Sequence, residues 1–205
     1  MNNKVELIAI HGSDLEIAQN AWTSTLTQLE SRTDEQAYDL VRMLWRDGHT
    51  VPFEHNNLVK FHLVVDNATH IQLLRHRIAS FSVESARYKE YTEDKYYLPE
   101  DWPPEMLDHL TDVAVNSFKN YHYAVQILEE SGLSRKRAKE TARFLLPMCI
   151  QIEMIMTMNI HAFLKFLKLR LSDHAQVEIR DVAAQMLEQV QETERFQHTL
   201  KAAGY

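Results

Sequence analysis

Residues 58–74 read LVKFHLVVDNATHIQLL, and this stretch determines the expected fold class. The part from Leu58 to Val65 alternates in polarity and is rich in β-branched residues and Phe, a pattern typical of a β-strand. Asn67 then offers an N-cap for a helix that runs to about Leu74. A strand and a helix within one short stretch predict a protein that mixes both types of element.

Helical periodicity dominates the rest of the chain. Apolar residues at helical spacing, together with caps and Gly or Pro stops, predict five further helices: residues 34–47, residues 105–130, a helix capped by Ser134 and ended by Pro147, a helix from Asn159 to about Arg170, and a final helix opened by Asp173. Residues 89–104 are predicted to be irregular, and residues 149–158 are apolar and ambiguous in type. We therefore expect a helix-rich α+β fold with a small antiparallel sheet, and a single domain over residues 1–205.

The composition excludes several classes of protein. The 205 residues are 45% apolar and 25% charged, which is ordinary for a soluble globular protein. No apolar run approaches the roughly 20 residues that span a bilayer, so we predict no membrane association and a cytoplasmic location. The net charge of −7 argues against a general nucleic-acid binder. The single Cys149 rules out an internal disulfide and a Cys-based zinc cluster.

Residues 75–88, RHRIASFSVESARY, carry the clearest chemical pattern. The guanidinium groups of Arg75, Arg77 and Arg87 suit bidentate contact with a phosphate. Ser80 and Ser85 add small hydroxyl donors beside main-chain N–H groups. The pattern indicates a phosphate-binding segment, and the alternative is a surface loop whose charges are incidental.

The same segment resembles the signature of flavin-dependent thymidylate synthases, RHRxxSxNxxSxRY. Ser82 is the one departure, since the family usually has Asn there. Further similarity lies in residues 48–55, at Gln72, in the ARFLLP stretch that contains Arg143, and in residues 159–179, so that it spans about residues 20–185. The matching signature positions are Arg75, His76, Arg77, Ser80, Ser85, Arg87 and Tyr88.

The resemblance implies an activity and its cofactors. A member of this family methylates dUMP to dTMP with FAD as cofactor, NADPH as reductant and 5,10-methylenetetrahydrofolate as carbon donor. It implies a homotetramer whose active sites form between subunits. No enzyme thiolate takes part in this chemistry, so Cys149, which lies among apolar residues, is expected to be a small buried hydrophobe. Ser85 is expected to bind rather than to act as a nucleophile, because no base stands at an obvious spacing.

The resemblance also assigns residues to each ligand. The residues expected to bind dUMP are Gln72, Leu73, Leu74, Arg75, Val83, Glu84, Ser85, Ala86, Arg87, Arg143 and Arg170. The residues expected to bind FAD are Val51, Arg75, His76, Arg77, Val83, Asn159, Ile160, His161 and Lys165.

Arg170 is the expected catalytic residue. The resemblance places it against the uracil ring, where a permanent cation stabilises the negative charge that develops as N3 loses its proton. The alternative is an Arg that merely favours a helix C-terminus. Arg75, Arg87, Arg143 and Arg170 are expected to converge on one pocket in the assembled oligomer.

Four positions depart from the residues common in the family. Val51 replaces a frequent Thr, Val83 replaces a frequent Glu, and His161 and Lys165 replace frequent Arg and Asn or His. All four belong to the expected flavin shell. Ser24 aligns with a flavin-contacting Ser of the family.

Two other functions are compatible with parts of the sequence. A metal-dependent phosphohydrolase would use the His residues that cluster between His49 and His70, but no HExxH-type spacing occurs and we predict no metal. A helical interaction protein would dock through Met154, Met156 and Met158, although a stripe of this kind is more often core.

Overall fold

The computed structural model describes residues 2–24, 32–85, 87–91 and 95–205. Four strands form one antiparallel sheet in the order β1-β2-β4-β3. Their bounds are Lys4–His11 for β1, Leu58–Asp66 for β2, Ser80–Val83 for β3 and Gln151–Asn159 for β4. The predicted helix-rich α+β class with a small antiparallel sheet is confirmed.

Eight α-helices accompany the sheet in the described ranges. They are α1 Asp14–Trp22, α2 Asp34–Arg46, α3 Asn67–Leu73, α4 Pro104–Glu130, α5 Arg135–Ala142, α6 Ile160–Arg170, α7 Val177–Glu192 and α8 Gln197–Ala202. Single turns of 3₁₀-helix cover Val51–Phe53 and Arg143–Leu145. No helix in these ranges is long and apolar enough to cross a membrane.

Most predicted elements lie where the sequence indicates, and α7 is the clearest correction. This helix begins at Val177 rather than at Asp173, because residues 172–175 form a turn in which the Ala175 N–H donates to the Ser172 carbonyl at 2.9 Å. The ambiguous segment 149–158 is resolved as strand β4 from Gln151 onward. Elements β1, α1, β3 and α8 were not predicted from the sequence.

Strand periodicity explains the Met-rich stripe. Met154, Met156 and Met158 lie two residues apart on β4, so their side chains share one face of the sheet. All three are almost completely buried, at 2%, 0% and 3% exposure. They therefore belong to the core, and the interpretation of the stripe as a docking surface is wrong.

The chain divides into two compact units, each assembled from separate segments. Unit 1 comprises the described parts of residues 1–4, 63–75 and 82–154, and unit 2 those of residues 5–62, 76–81 and 155–205. The core of unit 1 lies between α4 and α5, and α7 supplies much of the core of unit 2. That residues 1–205 form one domain stays a prediction.

Two strands pass into helices without an intervening loop. Asp66 ends β2 and caps α3, since its Oδ1 accepts a hydrogen bond from the Thr69 N–H at 2.8 Å. Asn159 ends β4 and caps α6 in the same way, accepting from the Ala162 N–H at 2.8 Å. The expected cap of α6 is thus confirmed, whereas the cap of α3 is Asp66 rather than the expected Asn67.

The Asp66 cap is expected to contribute strongly to stability. Asn3 donates its Nδ2 to Asp66 Oδ2 at 2.8 Å and accepts from the Asp66 N–H at 2.8 Å, so the carboxylate joins two segments of unit 1. Asp66→Ala should lower the free energy of unfolding by about 2 kcal/mol or more, because buried donors lose their acceptor. Denaturant titration measures this change. Asp112→Ala, at an exposed position within α4, is the control and should change stability by less than about 0.5 kcal/mol; equal losses would contradict this role.

Candidate active site

Unit 1 contains a cavity of about 410 Å³ that brings together four of the residues assigned to dUMP. These are Val83, Glu84, Ser85 and Arg143, and they come from two stretches of chain about 60 residues apart. The cavity therefore combines a permanent cation, a hydroxyl group and a carboxylate. The other lining residues, which the sequence analysis did not assign to a site, are Asn67, His70, Tyr91, Leu146, Ile150 and Ile152.

The cavity wall from Val83 to Ser85 is fixed by main-chain hydrogen bonds. The N–H of Glu84 donates to the carbonyl of Glu153 on β4 at 2.9 Å. Past the end of β3, the chain turns tightly, because the N–H groups of Tyr88 and Lys89 both donate to the Ser85 carbonyl. Ser85 Oγ accepts from the Arg87 N–H at 3.3 Å. Ala86, also assigned to dUMP, lies outside the described residues.

Arg143 enters the cavity from the turn that follows α5. Ser134 caps that helix, as predicted, and Arg143 begins the 3₁₀ turn after it. Burial, together with the nearby Glu84 carboxylate, raises the pKa of Tyr91 to about 12, and the Arg143 charge opposes this rise. The Arg143 guanidinium and the Glu84 carboxylate therefore act on the same small region of unit 1.

The remaining residues of unit 1 assigned to dUMP do not line this cavity. Arg87 is paired with Glu140 at 3.0 Å, and Leu73 is completely buried, so that none of its atoms is open to a ligand in this chain. Leu74 and Arg75 are exposed, and Gln72 is half-buried. The expected convergence of Arg75, Arg87, Arg143 and Arg170 in the oligomer stays a prediction.

In unit 2, Arg170 is hydrogen-bonded to His76. Arg170 Nε donates to His76 Nε2 at 2.9 Å, and the His76 ring meets the edge of Phe166 with a centroid separation of 4.9 Å. Burial, together with the Arg170 charge, lowers the pKa of His76 to about 4. The imidazole is therefore neutral near pH 7, with its proton on Nδ1. This pair unites the proposed catalytic residue with a member of the RHR segment.

The other residues assigned to FAD in unit 2 differ in what they offer. His161 is buried and its Nδ1 lies 2.6 Å from Glu54 Oε1. The Asn159 side chain caps α6, and Ile160 is completely buried, so its side chain cannot contact a ligand. Arg77 and Lys165 are exposed cations. Val83, also assigned to FAD, lines the cavity of unit 1, and Arg75 is exposed in that unit.

Val51 lies beside a second, mostly apolar cavity of about 690 Å³ within unit 2. Its side chain is 67% exposed, and Ser24 lines the same cavity. The walls are formed chiefly by α1, α2 and the 3₁₀ turn, with Trp22, Leu40, Met43 and Pro52 among them. The apolar wall suits a planar ring such as that of a flavin, although Val51 offers no hydroxyl. Of the residues assigned to FAD, only Val51 lines this cavity, and the assignment of the others stays a prediction.

The structure also bears on the two other chemistries, a Cys thiolate and a metal site built from His residues. Burial raises the pKa of the half-buried Cys149 thiol, which makes this residue a poor thiolate. Among the described residues, no group of three or more His, Cys, Asp and Glu side chains could hold a metal ion. His70 lies at the cavity of unit 1, and His161 at Glu54 in unit 2.

A helix-rich α+β fold that presents a cavity with an Arg cation and a Ser hydroxyl, and an Arg held by a neutral His, suits an enzyme for phosphorylated small molecules. The chain belongs to the thymidylate synthase complementing protein family, whose sequence model matches residues 6–194. The family expected from the RHR segment is thereby confirmed.

Known relatives agree with this assignment. The flavin-dependent thymidylate synthase of Thermotoga neapolitana is 32% identical over 186 residues, which cover 87% of this chain and 81% of the relative. That of Kosmotoga olearia is 32% identical over 190 residues, with the same coverage. Among solved structures, the UMP/dUMP methylase PolB from Streptomyces cacaoi, bound with 5-Br dUMP, superposes with a TM-score of 0.78 at 27% identity, covering 98% of this chain and 94% of PolB.

The neutral state of His76 can be tested directly. Because the folded protein lowers the pKa of His76 from its ordinary 6.5 to about 4, the unfolded chain binds the proton first as the pH falls. NMR titration of the His76 ring, assigned with a His76→Gln variant, should give a midpoint near pH 4. The contribution of His76 to the free energy of unfolding should also fall between pH 6.5 and 4. A midpoint at or above 6.5 would contradict the buried Arg170–His76 pair.

Proposed function

We propose that this enzyme converts dUMP to dTMP by reductive methylation of C5. In the balanced reaction, 5,10-methylenetetrahydrofolate supplies the one-carbon unit, NADPH supplies a hydride equivalent, the C5 hydrogen leaves as a proton, and one further proton is taken from solution. The products are dTMP, tetrahydrofolate and NADP⁺. The observation that carries the proposal is the cavity of unit 1, where Val83, Glu84 and Ser85 of the signature meet Arg143. Family membership supports it, as do the relatives named flavin-dependent thymidylate synthase.

Arg143 and Ser85 are proposed to bind the nucleotide phosphate. Arg143 provides a fixed positive charge, and Ser85 stands in a tight turn with its hydroxyl beside main-chain N–H groups. A charged fork together with small donors is the arrangement that a dianionic phosphate requires. Ala86 and Arg87 belong to the same proposed phosphate loop. Arg87 would exchange its Glu140 partner for the ligand.

Arg170 is proposed to activate the uracil ring. Burial lowers the pKa of Arg170, but a guanidinium is basic enough to remain charged in a protein. The hydrogen bond to His76 fixes its orientation through Nε. A fixed cation in a partly shielded site stabilises the negative charge of the activated pyrimidine, so the ring can be activated without covalent attack of a Cys at C6. No thiolate step is therefore proposed.

The residues proposed to hold FAD are His76, Arg77, Val51, Asn159, Ile160, His161 and Lys165 in unit 2, with Arg75 and Val83 from unit 1. When bound, FAD supplies the redox chemistry that passes electrons from NADPH to the transferred carbon. The chain's own part is to bind and orient: Arg77 and Lys165 are exposed and offer charge to phosphates, whereas Ile160 is completely buried and supports the start of α6. The His76 ring retains an Nδ1–H donor while it accepts from Arg170.

The proposal includes a homotetramer and a cytoplasmic location. Several large apolar side chains are exposed in the described structure, among them Phe144 at 81% and Leu169 at 61%. Apolar groups of this size are commonly buried between subunits. They support the expectation that neighbouring chains complete each site.

The test of the function is tritium release from [5-³H]dUMP by the purified, FAD-loaded protein with NADPH and methylenetetrahydrofolate. Release coupled to dTMP formation is expected. Arg170→Lys should keep the fold and FAD but lower turnover about 10²-fold, because Lys cannot bond to His76 and present a planar fork at once.

Arg46→Lys provides the matched control for this exchange. Arg46 pairs with Asp47 at an exposed helix end, so Lys there should leave turnover unchanged. Near-normal dTMP formation by Arg170→Lys would refute the role of Arg170. A folded, flavin-loaded wild-type protein that releases no tritium would refute the function itself.

Cys149→Ala tests whether a thiolate takes part. Because burial raises the pKa of Cys149 and no proposed step uses it, turnover should stay within about twofold of wild type. Steady-state dTMP formation measures this, with circular dichroism and flavin absorbance as controls for fold and loading. A folded, flavin-loaded but inactive variant would restore a thiolate mechanism.

A further inference from the structure

Two buried acceptor atoms at the wall of the unit 1 cavity have no partner among the described residues. They are Oε1 of Glu84 and Nε2 of His70, and both residues line the cavity. The Glu84 side chain is only 5% exposed, so bulk water does not solvate its carboxylate. Buried acceptors of this kind cost free energy until a donor reaches them. The cavity is therefore built to receive hydrogen-bond donors as well as an anion.

The hydrogen-bond partners of His70 show that its Nε2 is an acceptor. His70 Nδ1 lies 3.3 Å from the Asn67 side-chain oxygen, so Nδ1 carries the proton that is donated there. Burial lowers the pKa of His70, which keeps the ring neutral. A neutral imidazole protonated at Nδ1 offers a lone pair at Nε2.

The Glu84 carboxylate uses one oxygen in an ion pair, and its other oxygen has no hydrogen-bond partner among the described residues. Its Oε2 accepts from Lys89 Nζ at 3.0 Å, and the same ammonium group donates to Glu153 Oε2 at 2.8 Å. These two carboxylates raise the pKa of Lys89, Glu153 more than Glu84. Oε1 is thus a charged acceptor that this ion pair does not use.

Phosphate cannot be the partner of these two atoms. A dianionic phosphate offers no donor and is repelled by a carboxylate, so it belongs with Arg143 and Ser85. The sugar of a nucleotide offers hydroxyl donors instead. Deoxyribose has one free hydroxyl, at the 3′ position, whereas ribose has two on adjacent carbons. Two acceptors match the second sugar better than the first.

We infer that Glu84 Oε1 and His70 Nε2 accept hydrogen bonds from the sugar hydroxyls of the nucleotide, and that the enzyme therefore takes UMP as well as dUMP. This inference rests on the proposed function, because it assumes that a uridine monophosphate occupies the cavity. It adds that the two side chains contact the sugar only as hydrogen-bond acceptors. A site that hydrogen-bonds a hydroxyl favours the ligand that carries it.

The test compares three ligands of the FAD-loaded full chain: UMP, dUMP and 3′-deoxy-UMP. Isothermal titration calorimetry should give a Kd for UMP no more than about threefold above that for dUMP, because the two acceptors provide a partner for each ribose hydroxyl. Tritium should be released from [5-³H]UMP as well. Binding of dUMP with UMP more than about 100-fold weaker would overturn the inference and leave the proposed function intact.

Variants assign the hydroxyls to their acceptors. Glu84→Met and His70→Phe keep the approximate shape of each side chain but remove the acceptor, and each should weaken UMP binding about tenfold. Each loss should largely disappear for the deoxy ligand that lacks the matching hydroxyl. Wild-type affinities for all three ligands in both variants would overturn the inference.

Glu153→Met is the matched control for the ion pair. It also removes one carboxylate from Lys89, but Glu153 does not line the cavity, so all three affinities should stay at the wild-type level. An effect equal to that of Glu84→Met would show that Lys89 is responsible, and would overturn the role given to Glu84. If the folded, flavin-loaded wild type binds none of the three nucleotides, the proposed function itself fails.

Discussion

Each of the two units positions candidate residues through a place where a strand becomes a helix with no loop between them. At each junction one side chain, Asp66 or Asn159, both ends the strand and accepts a hydrogen bond from one N–H of the first helical turn. The helices are short, so their far ends lie at a defined distance and angle from the sheet. The RHR segment follows α3 and Arg170 ends α6. Groups held by regular elements keep their positions better than groups on free loops.

The choice of partner for Arg170 has an electrostatic consequence. Arg87 and Arg135 are paired with carboxylates, which fix their orientation but offset their charge. Arg170 donates through Nε to a neutral imidazole. A neutral partner orients the guanidinium without offsetting its charge. His76 can perform this task because Phe166 and the surrounding burial keep it uncharged.

Much of the fold could be predicted from the sequence, because caps and periodicity are local signals. Asn159 and Ser134 were identified as caps, since each stands just before an apolar helical pattern. The edge strand β1 was missed, because its half-exposed residues give only a weak alternation. Helix α1 could have been found: Ser13 and Glu16 have capping-box spacing, and Ser13 Oγ accepts from the Glu16 N–H.

The site was less predictable, because its contacts join residues far apart in the chain. The signature identified Val83 to Ser85, and resemblance supplied Arg143, but nothing local indicated that Asn67, His70 and Tyr91 line the same cavity. The contact between Glu54 and His161 spans 107 residues and has no sequence signal. The neutrality of His76 likewise depends on burial, which a motif of three basic residues would not suggest.

The loop-free junctions also limit how this chain can change in length. One residue inserted between Asn159 and Ile160 would rotate the whole of α6 by about 100° about its axis, because an α-helix has 3.6 residues per turn. Arg170 would then point to a different side, and the buried face of the helix would turn outward. Insertions and deletions should therefore accumulate in connections such as the one between α6 and α7, while the strand–helix boundaries keep a constant count of residues.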